Sequence, residues 1–215
     1  MTIAKGRTNC QSERDLMLKG FSEQLQILED SQIEQENVFK THLYDIITDY
    51  SISEVEKSSL KHPWVNELHK LEERHIRIRR SFFIGSYSFW EVSLMNIVNT
   101  HIPAMVENAR KSKKPKIFGA SDYLKMIYGG KLPSSVNLID NNIREFRNYL
   151  VHGTLTEERK LLISTLANSY PEFCIRGISN TYFIDSYKGV SEMLMLFSKE
   201  LENAENEILK FKITK

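Results

Sequence analysis

Arg147, Asn148 and His152 stand in the run Arg-Asn-Tyr-Leu-Val-His-Gly over residues 147–153, which places a permanent cation, an amide and an imidazole within one short stretch. A planar guanidinium can hold a phosphate through two parallel donors, and an imidazole can move protons near neutral pH. Together they suit the cleavage of a phosphodiester. Arginine or histidine near a helix carboxyl end also interacts well with its free carbonyls and dipole. That bland reading covers either residue alone, but it leaves Asn148 beside Arg147 and Gly153 straight after His152 unexplained. The five-residue step from Arg147 to His152 turns them roughly 140° apart on a continuous helix, so one chain brings them together poorly.

The element that must position them is a helix. Ile139, Ile143, Phe146 and Leu150 recur at steps of four, three and four, which makes one apolar stripe, with Arg144, Asn148 and Val151 opposite. Arg147 falls at the margin, where its aliphatic stem can pack while its head reaches out. The run Pro133-Ser134-Ser135 opens this helix and Gly153 ends it, leaving His152 in or just past the last turn.

Helical patterns dominate the remaining chain. Leu18, Phe21, Leu25 and Leu28 form one stripe, and Phe39, Leu43, Ile46 and Tyr50 form a second. Their offset predicts two helices or one bent helix, with a break or cap near Asp30 and Ser31. Pro63 is expected to start a helix that runs through Leu68, Leu71, His75 and Ile78 into the apolar segment 82–98. Glu91 lies inside that segment, either buried against a partner or on the one wet edge. Pro103 and the basic run 110–116 read as a loop, and Ser121 or Asp122 caps a short helix that Gly129 and Gly130 end. A short helix after Thr156, a small β-hairpin over 173–184 and a last amphipathic helix over 185–210 complete the reading.

At 215 residues, 41% hydrophobic and 27% charged, the chain has room for one compact domain with an added helical arm and is too apolar to be disordered. Twenty-nine Lys and Arg against 28 Asp and Glu give a net charge of +1, so any polyanion site must be a local patch. Cys10 and Cys174 lie far apart without metal-ligand spacing, which fits a reducing cytoplasm. No secretory signal is read in residues 1–14, and Glu91, Gly85 and several serines make 81–98 a core helix sooner than a membrane span. No His, Cys, Asp and Glu cluster has metal-ligand spacing, so neither a metal nor a cofactor is expected.

The motif Arg147-Asn148-x-x-x-His152, at the end of an amphipathic helix in a helical chain, resembles the signature of the HEPN superfamily: Arg, four to six residues, then His, often with a polar residue straight after the Arg. The resemblance covers residues 63–210 and leaves those before 63 unexplained. It implies an all-α bundle over 63–215 with the hairpin inserted near 173–184; the apolar spacing of the earlier residues adds a helical extension over 1–62, the whole expected to form one compact unit. It also implies a metal-independent endoribonuclease in which Arg147, Asn148 and His152 act at a two-fold homodimer interface, in phage defence or a toxin–antitoxin system with a partner protein. A toxin branch of the family continues the motif as His-x-Tyr; this chain has Thr154 there, which departs from that branch's mode of regulation, and Tyr149 does not substitute.

Within that frame Glu91 would pair with Arg147 or Arg144 and hold the guanidinium in place. Arg74, His75, Arg77, Arg79 and Arg80, with Arg110, Lys113, Lys114 and Lys116, could supply phosphate contacts to RNA, although a charge run is more often a solvated face. The competing expectation is a catalytically inert HEPN-like dimer that serves as a protein-interaction or RNA-binding module.

Overall fold

A computed structural model describes residues 9–112, 119–177 and 181–213. Lys113, Lys114 and Lys116 lie outside the described residues. The chain is mostly helical: α1 (Asn9–Thr48), α2 (Glu54–His101), α3 (Pro103–Ser112), α4 (Ala120–Tyr128), α5 (Ser134–Leu138), α6 (Arg144–His152), α7 (Glu157–Ser169) and α8 (Tyr187–Ile213). Two short strands, β1 (Cys174–Arg176) and β2 (Tyr182–Ile184), pair antiparallel with Cys174 opposite Ile184 and Arg176 opposite Tyr182. This is the hairpin expected from sequence. No helix among the described residues is long and apolar enough to cross a membrane.

α1 runs unbroken through Asp30 and Ser31, where a break was expected. Both side chains serve the helix instead of ending it: Gln26 donates to the Asp30 carboxylate at 3.0 Å and Gln35 donates to the Ser31 hydroxyl at 2.9 Å, each across one turn. The first apolar stripe packs on the core through Leu18, Phe21, Leu25 and Leu28. The second half of α1 lies on the start of α2, where the Trp64 ring meets Phe39 and stacks on His42 at 4.4 Å between centroids.

α2 does not start at Pro63. The Ser53 hydroxyl accepts from the Glu56 N–H at 3.3 Å while the Glu56 carboxylate accepts from the Ser53 N–H at 3.2 Å, and this reciprocal cap starts the helix at Glu54. Pro63 then sits inside the helix and forgoes one bond to the Ser59 carbonyl; both residues are exposed, so water can solvate the freed oxygen. Pro103 is likewise no loop residue. It occupies the first position of α3, where its fixed φ suits a helix and its missing N–H costs nothing. Arg110 lies in α3.

The core gathers α2 and α8 around Phe83, Tyr87, Trp90 and Phe197, with Phe146 from α6 and Phe173 before β1 closing the ring cluster. Gly189 in the first turn of α8 lets the hairpin come close, because a Cβ there would stand 2.3 Å from the Glu172 carbonyl oxygen. Cys174 is buried in this region, and burial pushes its thiol up to about 12.

Candidate active site at the end of α6

The expected stripe is the buried face of the motif helix: Ile139, Ile143 and Phe146 are fully buried and Leu150 nearly so. Between α5 and α6 the helix widens over Ile139–Ile143, where the Arg144 N–H bonds the Ile139 carbonyl five residues back. The wide turn buries two polar side chains and satisfies both. Asn142 donates to the Leu162 carbonyl at 2.8 Å, while Asp140 accepts from Arg144 at 2.9 Å and from the Ser121 hydroxyl. Arg144 also donates to Ser121 at 2.7 Å, and Glu145 pairs with Arg159 at 2.8 Å. These contacts lock α6 against α4 and α7.

α2 and α6 pack antiparallel, and their contacts can be followed residue by residue. Arg80 Nη2 donates to the Leu150 carbonyl, Phe83 meets Phe146 at 5.7 Å, and the Arg147 guanidinium lies 5.9 Å from the centre of the Tyr87 ring. Glu91 follows one turn after Tyr87. Burial raises its carboxyl above the usual range, and the charges of Arg147 and then Arg144 oppose that shift. No ion pair within 4 Å joins Glu91 to either arginine. The expected direct pairing is therefore corrected: Arg144 is already engaged by Asp140 and Ser121, and Glu91 acts on Arg147 through its field.

Arg147 is half-buried. Its Nη1 donates to the neighbouring Asn148 Oδ1 at 3.2 Å, and its Nε is sealed from water without an acceptor. The Tyr87 hydroxyl beneath it is also buried and unpartnered, and burial raises that phenol well above its ordinary value. His152 is the last residue of α6 and is exposed, with no ring partner among the described residues. Gly153 follows at φ 70 and bonds the Tyr149 carbonyl at 2.8 Å, closing the helix. Along the axis the five-residue step separates Arg147 from His152 by roughly 7.5 Å. Within one chain the arginine is drawn back towards Tyr87 while the histidine stands free at the helix end. Tyr149 serves the scaffold, its hydroxyl accepting from the Tyr182 N–H at 3.2 Å.

The basic run on α2 divides by face. Leu71, His75, Arg79 and Phe83 follow at steps of four and are buried, so His75 and Arg79 are not available to RNA. His75 Nδ1 bonds the Tyr187 hydroxyl at 2.7 Å, and Arg79 donates to the Ile184 carbonyl, Gln32 and Glu72 at 2.8–3.1 Å. Arg74, Arg77 and Arg80 stay exposed. Among the described residues no group of three or more His, Cys, Asp or Glu is placed to hold a metal. A cavity of about 890 Å³ opens over the start of α2, lined by Glu54, His62, Asn66 and Lys70, with no motif residue in its wall. It follows the outer face of one helix beside Pro63 and gathers no buried polar atom without a partner, so we place the candidate chemistry at α6.

No protein-family model, curated protein or solved structure matches the chain.

Two contributors to the site escaped the sequence reading. Tyr87 sits one turn before Glu91 and shares its face, a spacing visible in the sequence once Glu91 is singled out. The tie from Arg80 to Leu150 spans 70 residues and leaves no local signal.

Proposed function

We propose that the protein is a metal-independent endoribonuclease of HEPN type that acts in the cytoplasm as a homodimer. The observation that carries this reading is the contrast in one short helix between a fully anchored buried face and a motif with unfilled hydrogen-bonding capacity, namely the Arg147 guanidinium and the free His152 ring. His152 takes the proton from a ribose 2′-hydroxyl, and the 2′-oxygen attacks the adjacent phosphorus. The bond from phosphorus to the 5′-oxygen breaks, and that oxygen receives a proton from the imidazolium of the second copy. The products are a 2′,3′-cyclic phosphate and a 5′-hydroxyl. Arg147 stabilises charge on the phosphate oxygens, and Asn148 steadies the guanidinium. A two-fold pairing of α6 ends supplies from two chains what one separates. The setting is phage defence or a toxin–antitoxin pair, as the family resemblance implies.

The test is incubation of purified protein with mixed RNA in excess chelator, beside His152→Ala and Arg147→Ala, with the mass in solution measured in parallel. Cleavage leaving cyclic phosphate ends that both variants lose is expected, from a particle of twice the chain mass. Absence of cleavage by the unmodified protein removes the nuclease reading.

A second reading, an inert interaction module, draws on α1. Leu16, Ile27 and Val38 stand eleven residues apart, nearly in line on the helix, and are 72%, 66% and 51% exposed. Intact partner binding by both variants with no RNA cleavage would favour it.

A further inference from the structure

The geometry points to Arg80 as a phosphate-binding residue of the α6 site and the head of a track, Arg80, Arg77 and Arg74, along which an RNA strand lies on α2. This rests on RNA being the ligand, as proposed above, and adds which cations hold it.

Three observations converge. The basic run is sorted by the helix, with His75 and Arg79 spent in the core and Arg74, Arg77 and Arg80 exposed at every third position. Each such step advances roughly 4.5 Å and turns back roughly 60°, so the three form a slanted line about 9 Å long on one side of α2. Arg80, at the end nearest the motif, is bonded by Nη2 to the carbonyl of Leu150, two residues short of His152. That bond holds the guanidinium at the carboxyl end of α6, the end that His152 closes, and leaves its other nitrogens for a phosphate oxygen. The acids nearby do not consume the line: Glu72 pairs with the inward Arg79 at 2.8 Å, and Glu73 makes no ion pair with Arg77 or Arg74.

A plainer role for Arg80 is to cap the carbonyl end of α6. A cap needs only one donor, and it gives Arg77 and Arg74 nothing to do. Charge on a phosphate track has a signature that a cap lacks, because each phosphate neutralised releases counterions and steepens the salt dependence of binding.

The experiment uses the full chain carrying His152→Ala, so that RNA is bound without being cut. Binding of fluorescent single-stranded RNA of mixed sequence is measured over a series of potassium chloride concentrations. Adding Arg80→Gln, which keeps a donor for Leu150 but removes the charge, is expected to lower the slope of log affinity against log salt by about 0.7. Arg77→Gln should lower it by a similar step, and Arg80→Lys should retain it. Loss of melting temperature in Arg80→Gln with an unchanged slope overturns the proposal, and so does absence of RNA binding in the parent. If Arg80 variants do not fold, an unchanged slope in both Arg77→Gln and Arg74→Gln overturns it instead. Reduced slopes in a protein that, with His152 restored, cuts no RNA would uphold the track while removing the nuclease reading.

Discussion

On α2, His75 and Arg79 lie four residues apart and face the core; on α6, Arg147 and His152 lie five apart, one half-buried at the helix margin and the other exposed at its end. The residue types are the same and their surroundings are opposite. Every nitrogen of Arg79 has an acceptor, whereas Arg147 reaches only its neighbour Asn148 and keeps a sealed Nε without one. His75 bonds Tyr187 through Nδ1 and has its Nε2 buried without a partner, which disfavours a doubly protonated ring; His152 meets water. A one-residue change in spacing, on helices with different inner faces, separates a structural pair from one with capacity left for a ligand.

The largest test of that contrast is chemical. His152→Ala and Arg147→Ala should each lower RNA cleavage by about 10²- to 10⁴-fold, read as initial rates on a labelled RNA, with melting temperature nearly unchanged. A loss of folding on the same scale as the loss of cleavage would place this pair with the structural one. Next comes the buried cation. Arg79→Ala should cost about 2–5 kcal/mol in urea unfolding, because it empties a fully buried site and leaves the Ile184 carbonyl without its donor, while the half-exposed Glu72 meets water. A cost under about 1 kcal/mol, the range of a surface pair, would show that Arg79 is not the anchor its burial suggests.

A smaller effect concerns pH. Burial first, and then the Arg79 charge, lowers the His75 pKa below its ordinary value. The unfolded chain therefore binds the proton more readily, so the stability tied to a neutral His75 is full above pH near 6.5 and drains as pH falls below it. Urea midpoints of the unmodified chain should drop more between pH about 7.5 and about 5 than those of His75→Gln, whose side chain does not titrate. Equal drops would mean that His75 is as free to charge as a surface histidine.

The smallest expected change is in Tyr87→Phe. The hydroxyl is sealed without a partner, so removing it should alter stability by less than about 1 kcal/mol. A larger destabilisation would reveal a bond to Arg147 or Glu91.

Much of this was legible in the sequence where it depended on period. The stripe of Ile139, Ile143, Phe146 and Leu150, the closing glycine and the short hairpin follow from local pattern and turn chemistry, and the structure has them where the pattern puts them. The start of α2 was misplaced because proline marks a first turn without saying whether a helix is already under way, and α3 was missed because Pro103, which opens it, was read as a loop residue. Ser53 and Glu56, a serine followed at the third position by a glutamate, carried the correct signal for α2. The basic run was read by residue type; spacing from Leu71 and Phe83 would have assigned His75 and Arg79 to the inside. Glu91 without a direct partner and Arg80 on Leu150 are products of two helices meeting, and no local pattern specifies them.

The wide turn over Ile139–Ile143 governs which changes of length the motif helix can accept. It holds one residue more than an α-helix needs for the same rotation. A single deletion among residues 140–142 can therefore be absorbed by tightening the turn, leaving Arg147 and His152 aimed as they are at the expense of a buried polar bond. The same deletion between Leu150 and His152 has no such slack, and it would swing the imidazole by about 100° while every upstream contact stayed intact.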